Sequence, residues 1–263
     1  MIHLRKPIVW RRLKKNLYRP WEKYAGKADF FAAYLRFCRL AAADHRFAIR
    51  WRDRAPEGED KAPRAGGGAN YACHAAWAAR QLESINTSYH IDITNDMFLY
   101  DLAMSAAPPR EGGYRPARLR LGDLAAGRGD LLRLPFPDES VDSISCMHVV
   151  EHAGLGRYGD PLNPQGDLQA IRELQRVVRP GGYLLLIVPV GRARIRFNAN
   201  RVYSPAQMLS YFHDMTLLES ILIPDDNQRP ECLISGTPEE MFHQQLEGTG
   251  CFLFQRPRRT PSS

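Results

Sequence analysis

The sequence predicts an α/β protein: a mostly parallel sheet with helices on both faces, an antiparallel last strand and a helical N-terminal extension. Three observations carry this. Strand-like and helix-like runs alternate from Tyr89 onward. Tyr183 to Val190 (YLLLIVPV) is nearly unbroken in apolar residues, as a strand covered on both faces should be. Ahead of the alternation, Phe30, Tyr34, Phe37, Cys38 and Ala41 recur with the spacing of one helix face. With 263 residues the chain is long enough for a sizeable core.

The elements follow in order. Residues 1–27 mix cations with aromatics, including Trp10, Arg11, Arg12, Lys14, Lys15, Tyr18, Arg19 and Trp21. Such a run is a solvated face or a surface for an anionic membrane or nucleic acid, and no nucleic-acid module accompanies it. Arg54 to Asn70 is a Pro- and Gly-rich linker, followed by a helix over Tyr71 to Ile85, a strand over Tyr89 to Ile93 and a helix over Met97 to Met104. No strand is expected from Pro108 to Gly113. Val141 to Met147 reads as a strand and Asp167 to Val178 as a helix ended by Pro180, Gly181 and Gly182. After the Tyr183 strand, Ser204 to Phe212 opens with a Ser-Pro helix start. Leu217 to Ile223 and Cys251 to Phe254 are the last strands, the final one antiparallel. The expected units are a basic helical extension and linker over 1–69, an α/β domain over 70–257 and a disordered tail over 258–263.

Composition narrows the class. The 36 basic and 29 acidic residues give +7, but residues 1–54 carry +11 and the remainder −4, so the basic character belongs to the N-terminal part. A mean hydropathy of −0.40 and the lack of a long apolar run argue against a membrane span. Five cysteines at unrelated spacings, without a CxxC pair, suggest reduced thiols rather than a disulfide framework or a cysteine zinc site. The expected setting is cytoplasmic, with peripheral attachment to a membrane through residues 1–27 as an option. The first residues have no apolar core of a secretory signal, and lack the serines of an organellar transit segment.

Ligands of open α/β sheets bind beyond the carboxyl ends of the strands. The first such place is Ile91 to Asp96 (IDITND), where Thr94 and Asn95 stand in a turn that usually wants glycine. Asn tolerates left-handed geometry and both can cap a helix, so this is either a binding turn or a structural one.

The second is the stretch Gly129, Asp130, then LLRLPFPDESVDSISCMHVVEH. An acid, a spacer, LPFPDES, VDSIS and VVEH resemble the middle of class I S-adenosylmethionine-dependent methyltransferases. More narrowly, CMHVVEHAGLGRYGDPLNPQGDLQAIRELQRVVRPGG, PVG and FNANRVYS resemble a methyltransferase-like family known as domain of unknown function 268. The likeness covers roughly residues 28–257, including YACHAAWAARQL and YHIDI, and is most specific between Leu134 and Ser204. It implies a Rossmann-like methyltransferase sheet and S-adenosylmethionine as cofactor. Asp130 and the Leu131 amide would meet the adenine, Met147 and His148 the methionine portion, and Asp92, Thr94, Asn95 and Asp96 the amino-acid end. The sequence departs from the pattern at Thr94 and Asn95, where Gly-Ser is usual, and at Gly113, where the resemblance expects an acid for the ribose hydroxyls. Two charge-assisted hydrogen bonds are missing there, at roughly 1.5–3 kcal/mol each.

The third place is His148, Glu151 and His152, a literal H-x-x-E-H. The inverted zinc-protease signature of that form needs a helix presenting both imidazoles, yet here the residues close a strand and Gly154, Gly156 and Gly159 follow. The better reading is a polar cluster, either a hydrogen-bonded structural pair or a general base near neutrality, with no metal. Arg157, Tyr158 and Asp160 form one polar loop downstream, and Asn198, Asn200 and Arg201 another. These are candidate substrate-binding residues, the two arginines either holding an anion or pairing with Glu151 and Asp160 to stiffen the loops. The resemblance expects His at Asn200, and an amide does not titrate near neutrality. Together the residues suggest methyl transfer to an oxygen or nitrogen of a small-molecule or glycan acceptor. The alternative is a catalytically inactive binding or scaffold protein on the same fold.

Overall fold

The computed structural model describes residues 19–56, 67–85, 87, 89–93, 109–113, 120–121, 124–128, 130–157, 159–224, 234–235 and 247–259. The turn residues Thr94, Asn95 and Asp96, the helix expected over Met97 to Met104, and Tyr158 lie outside them.

Among the described residues four helices flank the sheets: α1 (Arg19–Leu40), α2 (Gly67–Ile85), α3 (Gly166–Val177) and α4 (Pro205–Tyr211). A small sheet pairs β1 (Ala48–Ile49) with β8 (Arg194–Arg196) and β8 with β9 (Asn200–Val202). The main sheet comprises β2 (His90–Asp92), β3 (Pro109–Gly113), β4 (Arg120–Leu121), β5 (Leu124–Arg128), β6 (Val141–Met147), β7 (Val178–Gly191), β10 (Thr216–Ile223), β11 (Ile234–Ser235) and β12 (Glu247–Gln255). Its order is β11-β10-β12-β7-β6-β2-β3-β5-β4. The sheet is mixed: β7, β6, β2, β3 and β5 are neighbours in parallel, while β12 lies antiparallel between β7 and β10, and β4 and β11 are antiparallel at the edges. The antiparallel last strand is therefore present as expected.

Two expectations about the elements need correction. Pro109 to Gly113 is a strand, paired on both sides, with Asp92 opposite Glu111 and Gly113 opposite Arg128. Proline stands first in it, where no ladder donor is needed, and pairing with neighbours on both sides compensates for poor intrinsic propensity. Pro180, Gly181 and Gly182 do not separate helix from strand but lie inside β7, which starts as soon as α3 ends. Gly181 takes φ +78° there, and the ladder to β6 shifts register between Val141 and Ser143.

Side chains of β7 alternate between two cores. Leu184, Leu186, Val188 and Val190 join Tyr34, Phe37, Ile171, Leu174 and Met208 from the α1, α3 and α4 side. Leu185 and Ile187 join Trp77 and Ala78 of α2 on the other face. The stripe expected on α1 is the buried one: Tyr34, Phe37 and Ala41 are enclosed, and Phe37 and Tyr34 hold the Phe197 ring at 5.2 and 5.6 Å. The Ser-Pro start of α4 is a full capping box, with Gln207 N–H donating to Ser204 Oγ at 3.2 Å and Ser204 N–H to Gln207 Oε1 at 2.9 Å.

Cys38, Cys146 and Cys251 are free thiols, whereas Cys73 is disulfide-bonded. That corrects the expectation of reduced thiols, since spatial proximity and not sequence spacing decides pairing, and it removes the cysteine argument for a cytoplasmic setting. Among the described residues no helix is long and apolar enough to cross a membrane.

Candidate active site

β6 delivers the chain to the carboxyl end of the parallel strands at Met147, which is buried against the α2 face. The next residue turns sharply. His148 adopts φ +55°, the left-handed region a branched or bulky residue rarely enters, while its amide still donates to the Ile187 carbonyl at 2.9 Å. Strain of this kind persists where the surroundings over-determine it. A 3-10 turn, Val150–His152, then brings Glu151 back beneath His148.

The resulting cluster is a buried carboxylate under two half-covered imidazoles. Glu151 is 1% exposed, and its Oε1 lies 3.1 Å from His148 Nδ1 and 3.9 Å from His152 Nε2. Glu151 Oε2 is buried with no hydrogen-bond partner among the described residues. His152 Nδ1 is 2.5 Å from the Ala199 carbonyl. A carbonyl only accepts, so Nδ1 carries the proton and Nε2, which faces Glu151, carries the lone pair when the ring is neutral. Ala199 belongs to the loop of Asn198 and Asn200, so this bond ties the two candidate loops together.

Two further histidines, passed over in the sequence, stand behind the cluster. His74 of α2 is 2% exposed with its ring 5.1 Å from that of His148. Burial, with His148 alongside, pushes its pKa down to about 3, so it is neutral. His90 of β2 is likewise pushed down to about 3 by burial. Its Nδ1 lies 2.8 Å from Ser143 Oγ and its Nε2 2.9 Å from Ser145 Oγ. Ser145 Oγ in turn donates to Asp92 Oδ1. A hydroxyl has one proton, so Ser145 must accept from His90 Nε2–H, and His90 Nδ1 accepts from Ser143. This chain of hydrogen bonds holds the Asp92 carboxylate, fully buried at the end of β2. Burial, reinforced by Glu151 and then Asp92, pushes the intervening Cys146 thiol well up and keeps it protonated.

The remaining candidates divide sharply. Leu131 is buried, and Asp130 is exposed with its Oδ1 accepting from the Leu132 amide at 2.9 Å. Asp160 Oδ2 accepts from the amides of Gly154 and Gly156 at 2.8 and 3.2 Å, so its carboxylate pins the glycine loop. Gly154 cannot be replaced cheaply: at φ +79° an added Cβ would stand 2.1 Å from the Asn163 carbonyl oxygen. Arg157 is half-buried. Asn198 Oδ1 is buried without a hydrogen-bond partner among the described residues. Asn200 is buried and engaged: its Nδ2 donates to the Arg201 carbonyl at 3.2 Å and to Glu247 Oε1 at 3.5 Å, while its Oδ1 accepts from Arg196 at 3.4 Å.

Arg201 is wholly enclosed. Its Nη1 donates to the carbonyls of Glu151 and Ala153 at 3.4 and 2.6 Å, its Nη2 to those of Asn163 and Pro164 at 3.4 and 3.1 Å, and its Nε lies 3.6 Å from Asp167 Oδ1. A cation so enclosed holds no substrate anion; it stiffens the loops, through carbonyls rather than through the carboxylates of Glu151 and Asp160. Asp167 also receives both Arg46 nitrogens, at 2.9 and 3.1 Å. Burial alone would lower the Arg46 pKa, but Asp44 and Asp167 outweigh it and raise it. Asp167 lies 121 residues from Arg46 along the chain, so the network leaves no local pattern by which to read it.

Comparison with known proteins matches this geometry at the level of fold. No curated protein matches the chain. The N-methyltransferase NodS from Bradyrhizobium japonicum superposes with a TM-score of 0.51 at 15% identity, over 73% of this chain and 99% of its own. The [4+2]-cyclase SpnF superposes with a TM-score of 0.51 at 13% identity, over 87% of this chain and 94% of its own. One fold thus serves a methyl transfer and a cyclisation, and the likeness establishes the fold alone. Residues 137–233, which hold the His148–Glu151–His152 cluster and Arg201, match the family described as Caenorhabditis protein of unknown function, DUF268, and they are set in an α/β fold resembling methyltransferases.

Proposed function

We propose that the protein is an S-adenosylmethionine-dependent methyltransferase acting on an oxygen or nitrogen of a small-molecule or glycan acceptor. The observation that carries this reading is the buried Glu151 carboxylate, shared by two half-covered imidazoles at the carboxyl end of β6, where open α/β sheets bind ligands. The donor set suits the cofactor: Asp92 ends β2, Met147 ends β6, and Asp130 follows β5. Asp92 with Thr94, Asn95 and Asp96 would hold its amino-acid end, Met147 its methionine portion, and Asp130 with the Leu131 amide its adenine. Bound there, it supplies an electrophilic methyl group.

The chain's own part is to orient the acceptor and take its proton. His152 is oriented by Ala199, whose carbonyl accepts from Nδ1, so the tautomer able to take a proton presents its lone pair on Nε2. Glu151 stabilises an imidazolium formed on either His148 or His152, at low cost in reorganisation because it is already buried and fixed. Arg157, Tyr158 and Asn198 are the acceptor-side residues in this scheme. Asp160, Asn200 and Arg201 act through the loops they hold.

A second reading, a catalytically silent binding module, is favoured by Gly113: it ends β3 without a side chain where the ribose acid is expected. Glu111, opposite Asp92 in register, is the acid that β3 does offer. Titration calorimetry of the full chain with S-adenosylmethionine and S-adenosylhomocysteine decides between the two. Binding that is weakened at least tenfold in Asp130→Ala supports the methyltransferase; no heat at millimolar ligand leaves the silent module.

A further inference from the structure

We propose that the exposed face of α1, with the turn at Trp51, is a docking surface for an anionic phospholipid membrane. Five large apolar side chains are exposed among the described residues, and four of them, Phe31, Leu35, Leu40 and Trp51, fall within this short segment. They are not scattered. Phe31 and Leu35 are one helical turn apart, and Phe31 meets Trp51 edge-on at 5.3 Å. Continuing the same spacing in both directions gives Lys27 and Arg39, so one stripe of α1 reads Lys27, Phe31, Leu35, Arg39, all exposed. Arg36, Arg50, Arg52 and Arg54 are exposed as well, and Asp29 is the single exposed acid between residues 27 and 54. Arg54 lies over the Trp51 ring at 4.5 Å.

An apolar stripe bracketed by cations, with a tryptophan beside it, has the chemistry of the headgroup boundary. Phe31, Leu35 and Trp51 can enter the acyl margin while the guanidinium groups stay at the level of the phosphates. A nucleic acid fits less well, because its affinity comes from phosphate contacts to cations, to which Leu35 and Phe31 contribute nothing. Trp51 rests on Tyr34 at 4.9 Å and Phe30 at 6.1 Å, rings that in turn pack on Phe197, while Phe31, Leu35 and Trp51 are already exposed, so docking requires no rearrangement of the core.

Flotation of the full chain with phosphatidylcholine vesicles, with and without phosphatidylserine, tests the proposal. Binding to the phosphatidylserine vesicles alone is expected, weakening as salt is raised. Phe31→Ser with Leu35→Ser should lower it about tenfold or more. Replacing Arg36, Arg39, Arg50 and Arg52 by Gln should lower it on the order of a hundredfold. All six positions are exposed, so thermal midpoints should hold and report folding independently. The proposal is overturned by no binding, by equal binding to neutral vesicles, by either folded variant binding as the parent does, or by tighter binding to a DNA or RNA duplex at the same salt.

Discussion

Two buried charged groups meet where Arg201 grips the Glu151 carbonyl, and they have opposite characters. Around Arg201 and Asp167 each terminal guanidinium nitrogen and each carboxylate oxygen has a partner: carbonyls from two loops, Arg46, and the Tyr203 hydroxyl at 3.4 Å; the one exception, Arg201 Nε, lies 3.6 Å from the Asp167 carboxylate, in an ion pair without a hydrogen bond. Around Glu151 one oxygen lies between two imidazoles and the other is buried without a hydrogen-bond partner among the described residues. A buried polar atom left unsatisfied costs about 1–3 kcal/mol, and a fold that keeps one beside two titratable rings is retaining it for something other than stability. The satisfied network builds the site; the unsatisfied corner is where a ligand has something to do.

The largest effect should come from the satisfied side. Asp167→Ala strands the enclosed Arg201 without its carboxylate and leaves Arg46 with Asp44 alone, and it should cost about 3–5 kcal/mol in urea unfolding. A cost below about 1 kcal/mol would erase the distinction between the two regions. Next is the pH dependence of the silent histidines. His74 and His90 have folded pKa values near 3 against 6.5 when unfolded. The unfolded chain therefore takes up protons that the folded one refuses, and stability falls as pH drops from about 6.5 toward 3. The slope is about 1.4 kcal/mol per pH unit for each histidine. Urea midpoints between pH 7 and 5 should show this slope, and His90→Gln should flatten it; an unchanged slope would mean that His90 is not held neutral. The smallest effect on stability is expected from Glu151→Gln, within about 1 kcal/mol of the parent, since it removes a buried charge that lacks a full set of partners. The proposed methyl transfer, by contrast, should fall by about a hundredfold or more as the imidazolium loses its counter-charge. A large stability loss with activity intact would reverse the roles assigned to the two regions.

Much of the frame was legible because periodicity is a local property. The α1 stripe, β6, α3 and β7 announce themselves through residues such as Tyr34, Phe37, Leu174 and Leu184 to Val190. β3 and β5 did not, because PREGG and LAAGR have little strand propensity of their own and owe their conformation to neighbours on both sides. In the site, the His148–Glu151–His152 cluster was readable as a motif, since its members are three and four residues apart. The destiny of Arg201 was not: sequence shows a cation on a polar loop, and only the fold shows that it is enclosed. His74 and His90 were hidden for the same reason, their partners being His148, Ser143 and Ser145 on other elements.

The four carbonyls gripped by Arg201 come from residues 37 to 50 positions away along the chain. Until those segments have met, the guanidinium has nothing to hold, and closing loops of that length carries an entropy cost that the bonds must outweigh together. The corner containing Glu151 therefore forms as a unit or not at all: a chain that has assembled its sheet but not this clasp has no cluster to offer, so the clasp links the completion of folding to the acquisition of chemistry.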